Sequence, residues 1–288
     1  MIGLLKKTDR TKTGAETALK PNRLERWQQR RFKDIGDSIG QAPETERLAT
    51  NAQYSVRDAI PKMLLRETQL ALKPLPLLKT RAERKEIFRK LKEDIREVLP
   101  RVYEDIEAAY ERDPATKDRN EAALCLQGIE AVALYRIAHR FYLRGDTISA
   151  RLINRHSHAK TSIDIHPGAE IGRRFFIDHG TGTVIGETAH FGDDCTVYHG
   201  VTTGTRDLAF EQTNDGEIKA VGGKRHATIG NGVIIWANAT LVGAITIGNG
   251  SKIGANALVM DDVPPESTVV GIHSRSIPGL KNVKTGGC

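Results

Sequence analysis

Along residues 229–263 the apolar positions are spaced six apart. Ile229, Ile235, Leu241, Ile247, Ile253 and Val259 mark the register. Four residues after each comes a small or β-branched side chain: Val233, Ala239, Ile245, Ser251, Ala257 and Val263. An amphipathic helix would space its apolar residues three or four apart, and a half-buried strand would alternate every two. A strict period of six predicts a hexapeptide-repeat parallel β-helix, in which each hexad is a short strand plus a corner and three hexads make one coil. The aliphatic side chains stack inside the prism, and Gly and Asn supply corners where a positive φ is cheap. Upstream, Ile165, Ile171 and Ile177 hold the same step. Two extra residues intervene before Ile185, Phe191, Val197 and Thr203 resume it. Between Thr203 and Ile229 the pattern vanishes into a polar, glycine-rich stretch, which predicts a loop over residues 204–228 thrown out from a corner.

The first half has a different period. Residues 1–54 are polar, with Pro21 and Pro43, and read as a loosely docked arm. Residues 55–160 read as a helical domain. Ile87, Leu91, Ile95 and Val98 form one stripe at helical spacing, and Val102, Ile106, Ala109 and Tyr110 form another, with Pro100 marking a break between them. A third helix is expected from near Glu121 to about Gly145, apolar enough to be buried. Residues 146–160 lead into a β-helix spanning 161–275, and 276–288 form a tail.

Composition narrows the function classes. No run of about 18 apolar residues exists to span a membrane, and charge arrives by Lys6, too early for an apolar signal segment. Cys125, Cys195 and Cys288 are odd in number and scattered, which points away from a disulfide framework and toward a reducing, cytoplasmic setting. The net charge of +7 is interleaved with acids, as in Arg81-Ala-Glu-Arg-Lys-Glu86. That pattern suits solvated helix faces and a small anionic ligand better than nucleic acid.

The residues able to do chemistry cluster in the first coils: a DIHP segment at Asp164–Pro167, a DHGTG segment at Asp178–Gly182 and an IGET turn at Ile185–Thr188. An HGVTTGT corner follows at His199–Thr205, and a GGKRH loop end at Gly222–His226. Taken in order, with an RDPA segment at Arg112–Ala115, these motifs resemble those of the serine O-acetyltransferases. The resemblance spans about residues 100–275. It implies an α+β chain: an N-terminal α-helical domain followed by a left-handed parallel β-helix of hexapeptide repeats. The implied reaction moves the acetyl group of acetyl-CoA to the hydroxyl of L-serine, the first step of cysteine synthesis, by direct attack in a ternary complex. Acetyl-CoA enters as co-substrate, and no resident cofactor or metal is implied.

Position by position, the resemblance makes His179 the general base and Asp164 the carboxylate that orients its imidazole. An alcohol needs a base within hydrogen-bond reach before it becomes a useful nucleophile, and such a carboxylate fixes the ring's tautomer. The spacing of Asp164 and His179, a little under one coil, suits a stack on adjacent coils near one corner. Asp113, Asp178, Arg225 and His226 match the residues that hold the amino acid, carboxylates for its ammonium and the Arg fork for its carboxylate. His199, Gly204, Trp236, Ala237 and Arg275 fall to the coenzyme. Several of these also have plain structural uses: Asp113 before Pro114 suits a helix N-cap, and Trp236 could simply cover the prism.

The chain departs from the family pattern in places. Thr203 and Thr205 stand where the corner motif has Leu and its second Gly. The loop is lengthened by Asp207 through Lys219, and GVPAR becomes Gly271-Ile-His-Ser-Arg275. The family builds trimers with active sites between adjacent prisms, paired into hexamers through the helical region. Its C-terminal Ile docks into O-acetylserine sulfhydrylase. This sequence ends in Cys288, so that complex is expected to be weak or absent. A γ-type carbonic anhydrase would need an H-x4-H pair, and none of the nine histidines are five apart. The remaining alternatives are an acetyltransferase for another hydroxyl acceptor and a scaffold, although a scaffold has no need of a His–Asp pair beside a basic glycine loop.

Overall fold

The computed structural model describes residues 56–206, 210–212, 218–220 and 222–271. The arm 1–54, Arg275, the tail 276–288 and several loop positions lie outside the described residues. Helices come first: α1 Val56–Ala71, α2 Arg81–Arg112, α3 Arg119–Cys125, α4 Gln127–Leu143 and α5 Thr147–Thr161. A capping box opens α2, with Thr80 Oγ1 accepting from Glu83 N and a Glu83 carboxylate oxygen accepting from Thr80 N.

The helices correct three expectations. Pro100 does not break α2, which runs unbroken from Arg81 to Arg112. Pro100 and its neighbours Arg96 and Glu97 are exposed, so water can take the carbonyl that the proline leaves without a donor. The expected third helix is two, divided at Leu126, whose ψ of 112° is extended. Just past that bend Gly128 passes close to the prism: a Cβ there would lie 2.1 Å from the Ile177 carbonyl oxygen, so only glycine fits. Residues 147–161, read only as the stretch of the helical domain that leads into the β-helix, form a helix of their own, α5. Its buried face is made largely of Ser149, Ala150, Asn154, Ser157 and Thr161, with Ile153, too polar to register as a hydrophobic stripe.

From Asp164 the chain winds about five coils, and its short strands stack into three parallel faces. Face A holds β1 Asp164–Ile165, β4 Val184–Ile185, β7 Thr202–Gly204, β12 Thr240–Val242 and β15 Leu258–Val259. Face B holds β2 Glu170–Ile171, β5 His190–Phe191, β10 Thr228–Ile229 and β13 Thr246–Ile247. Face C holds β3 Phe176–Asp178, β6 Thr196–Tyr198, β11 Ile234–Ile235, β14 Lys252–Ile253 and β16 Thr268–Val269. The hexad markers pair as the period requires, for instance Ile165↔Ile185↔Thr203↔Leu241↔Val259 along face A. Their side chains form the buried interior, together with the residues four positions on. The predicted loop leaves from the corner between faces A and B. It contains an antiparallel hairpin, β8 Phe210–Gln212 with β9 Ile218–Ala220, which the polar composition did not reveal.

The helices close the lower end of the prism. Ala131, Val132 and Tyr135 of α4 join its hydrophobic interior. Their polar neighbours answer the carbonyls of the first coil. Asn154 Nδ2 donates to Ile165 O (3.0 Å), Tyr135 Oη to Ala169 O (2.6 Å) and Arg136 Nη2 to Gly172 O (2.9 Å). Arg112 reaches the carbonyls of Arg174 and Cys195. Beneath them Arg136 makes a two-pronged ion pair with Asp105 (2.6 and 2.8 Å), whose Oδ1 also accepts from Phe175 N at 2.9 Å.

Candidate active site

The predicted site residues gather at two different edges of the prism. The first is the edge between faces C and A, where each coil leaves its face C strand. Asp178, Tyr198 and Trp236 occupy equivalent positions in successive coils, and His179, His199 and Ala237 follow them. His179 takes the left-handed conformation (φ 55°), which turns its ring outward; the side chain is 72% exposed. The backbone carbonyl of His179 accepts from the Gln127 side chain at the start of α4, a contact that sequence reasoning missed. The rings of His179 and His199 lie 5.8 Å apart, and the buried Nδ1 of His199 has no hydrogen-bond partner among the described residues. Tyr198 and Trp236 stack at 4.5 Å between centroids, presenting a partly exposed aromatic wall.

Asp178 stands 3.7 Å from His179 Nδ1. Burial pushes its carboxyl above the usual carboxylate range and the nearby Asp113 adds to this, against the opposing pull of His179. Two carboxylates that feel each other's charge suit a cationic ligand group. Asp113 is not an N-cap: it is the C-cap of α2, and its oxygens accept from Ala115 N (2.8 Å) and Thr116 Oγ1 (2.7 Å). Asp164 sits on β1, with its carboxylate on Asn154 Nδ2 at 2.9 Å. Among the described residues it makes no ion pair with His179, although β1 stacks under β4, the strand that follows the His179 turn, so Asp164 opens face A beside the same edge. Gly204 ends β7 opposite Val242, one face away from Trp236 and Ala237.

The second edge lies between faces A and B. Here the GGKRH segment returns from the loop and lies against the IGET turn. Arg225 pairs with Glu187, whose other oxygen accepts from Tyr142 Oη at 2.7 Å. These two hydrogen bonds hold the Glu187 carboxyl below its ordinary value despite partial burial. His226 is buried against Gly186 and bonded to Thr188. A cavity of about 660 Å³ opens beside them, lined by Tyr142, Glu187, Lys224 and Arg225 among others. The two edges are separated by the width of face A, so one chain does not bring Arg225 and His226 to His179. Counting hexads modulo three would have exposed this, since His179 follows a face C strand and His226 precedes a face B strand.

Comparison with known proteins agrees with this architecture. A family model of bacterial transferase hexapeptides (six repeats) matches residues 226–260. The chain is 48% identical over 173 residues to the serine acetyltransferase of Mycobacterium tuberculosis, covering 60% of this chain and 70% of that one. Among solved structures it is similar to serine acetyltransferase from Neisseria gonorrhoeae in complex with serine, 31% identical with a TM-score of 0.62 over 85% of this chain and 96% of that one. It is also similar to the Brucella abortus serine acetyltransferase in complex with coenzyme A, 28% identical with a TM-score of 0.61 over 85% and 93%. The hexapeptide match and these neighbours fit a left-handed β-helix.

Proposed function

The chain belongs to the serine acetyltransferase family, and from that premise we propose how its own residues carry out the transfer of an acetyl group from acetyl-CoA to L-serine. It is a serine O-acetyltransferase, an activity that serves cysteine biosynthesis. The observation that carries the mechanism is the edge between faces C and A, where an outward-facing imidazole, two neighbouring carboxylates and an aromatic wall meet.

His179 takes the proton of the serine hydroxyl as its oxygen attacks the thioester carbonyl carbon. The tetrahedral intermediate collapses with breakage of the carbon–sulfur bond, and the imidazolium returns the proton to the departing thiolate. Asp113 and Asp178 hold the ammonium. Arg225 and His226 hold the carboxylate. Asp164 orients the His179 ring in the assembled enzyme. The coenzyme lies along the same edge, against His199, Trp236 and Ala237, with Gly204 and Arg275 as its further contacts. Attack is direct: Cys195 is buried, and burial pushes its thiol up to about 11, far from a thiolate nucleophile.

A complete site needs both edges, so it forms between two chains. A trimer of prisms provides that meeting, and the helical region 55–145 pairs two trimers into a hexamer. The unpaired Cys125 and Cys195 suit a reducing cytoplasm.

Thiol release from acetyl-CoA, followed with a panel of hydroxyl acceptors, tests this. L-serine should be preferred. His179→Ala or His179→Asn should lower kcat by about a hundredfold or more, and Asp164→Asn by less. Asp178→Asn should raise the serine KM. Full activity of the His179 variants would overturn the assignment, and a kcat loss in Asp178→Asn at unchanged KM would move the orienting role from Asp164 to Asp178.

A further inference from the structure

One residue of the IGET turn organises the GGKRH segment while itself carrying no assigned role. The Thr188 hydroxyl accepts from the backbone N–H of Arg225 at 3.0 Å and of His226 at 3.1 Å. A hydroxyl has two acceptor sites and one proton. Both acceptor sites are taken, so the proton goes to the third neighbour, His226 Nδ1 at 2.9 Å. The backbone N–H of Thr188 points at the same nitrogen, at 3.2 Å. With two donors aimed at it, Nδ1 carries no proton, and the ring is a neutral imidazole with its hydrogen on Nε2. The ring's place is kept by Gly186, where a Cβ would fall 2.1 Å from Nε2. Lys224 Nζ donates to Thr188 O at 2.7 Å and ties the same turn from the other side.

We propose that Thr188 is a positioning residue, which fixes the Nε2–H tautomer of His226 and the backbone turn that presents Arg225 to the acceptor's carboxylate. The inference rests on the reading that Arg225 and His226 hold that carboxylate. Its chemistry is specific. A protonated ring would turn an Nδ1–H toward the Thr188 N–H, so His226 is kept as a neutral hydrogen-bond donor beside a permanently charged guanidinium. Burial also holds the His226 ring below the ordinary histidine range, and Arg225 adds to this. The acceptor's carboxylate thus meets one full charge and one directed N–H. Glu187 completes the arrangement by holding the Arg225 side chain, while Thr188 holds the main chain beneath it.

The test separates KM from kcat. Thr188→Val keeps the shape and removes the hydroxyl, leaving two backbone N–H groups without their acceptor. The serine KM should rise by about tenfold, with the acetyl-CoA KM within about twofold of the parent. Thr188→Ser, which restores the hydroxyl, should bring the serine KM most of the way back. Thr188→Ala serves as the second variant if the valine form fails to assemble. Arg225→Lys and His226→Gln are measured alongside. If those two raise the serine KM while Thr188→Val and Thr188→Ala do not, the positioning role is wrong and the carboxylate site stands. If Arg225→Lys and His226→Gln leave the serine KM unchanged, the carboxylate reading fails and takes the inference with it. Equal loss of serine and acetyl-CoA affinity in the Thr188 variants, without rescue by serine, would mark Thr188 as merely structural and overturn the proposal.

Discussion

Mixing two inactive variants tests whether the active site is shared between chains. His179→Ala removes the base from the edge between faces C and A, and Arg225→Ala removes the guanidinium from the edge between faces A and B. If each site takes one edge from each of two chains, a mixed assembly restores a site wherever an Arg225→Ala chain supplies His179 and a His179→Ala chain supplies Arg225. Random assembly of equal amounts meets both conditions at about one site in four, so the mixture should recover about a quarter of the parental activity. The background is low enough to see this, because losing a general base costs about a hundredfold or more. Losing a charge-assisted contact of about 1.5–3 kcal/mol costs about ten- to a hundredfold at subsaturating serine. The two variants would be unfolded together, refolded, and compared by thiol release with separately refolded controls mixed afterwards. A co-refolded sample with the parental oligomer mass, but no more activity than the controls, would show that each site is built within one chain.

Two further outcomes concern stability. Asp105 and Arg136 are both buried, with side chains 1% and 8% exposed, so Asp105→Asn leaves an uncompensated guanidinium and should cost about 3–5 kcal/mol in denaturant unfolding; a loss under about 1 kcal/mol would refute this. Burial alone would raise the Glu67 carboxyl, but the hydrogen bond with His156 and the charge of Lys160 outweigh it and hold it below its ordinary 4.5. A lowered folded value means stability that is fully present above about pH 4.5 and lost as the pH falls through the folded value. Melting curves between about pH 6 and pH 3 should therefore fall more steeply for the parent than for Glu67→Gln, and parallel curves would refute the coupling.

The prism was legible because its burial is periodic: each marker from Ile229 to Val259 does the same job in the same place, so the interior writes itself into the sequence. Helix α5 was not legible as a separate element within the helical domain, because a helix seated on polar backbone buries Asn154 and Ser157 rather than a stripe of leucines. Pro100 misled for a related reason, since the cost of a proline depends on whether its orphaned carbonyl faces water, and sequence spacing does not show that. Among site residues, Asp178, His179 and His199 fall at one edge as their motifs suggest. Asp164 opens the face A strand beside that edge with its carboxylate on Asn154, and the Arg225–His226 pair lies at another edge because consecutive motifs occupy different corners of a coil. Thr188 was visible within the IGET turn, but nothing in its spacing told that its hydroxyl would be shared by Arg225 and His226 nearly forty positions on.

A stack of hexads has no natural length. Every coil offers the next the same row of amides and carbonyls, so the motif could in principle continue from chain to chain. Here Asn154, Tyr135, Arg136 and Arg112 impersonate the coil that would lie below the first one, supplying side-chain donors where a strand would have supplied its backbone. The helices thereby turn an open-ended polymer motif into a finite object, and a chain stripped of them would offer a ready template for fibre growth.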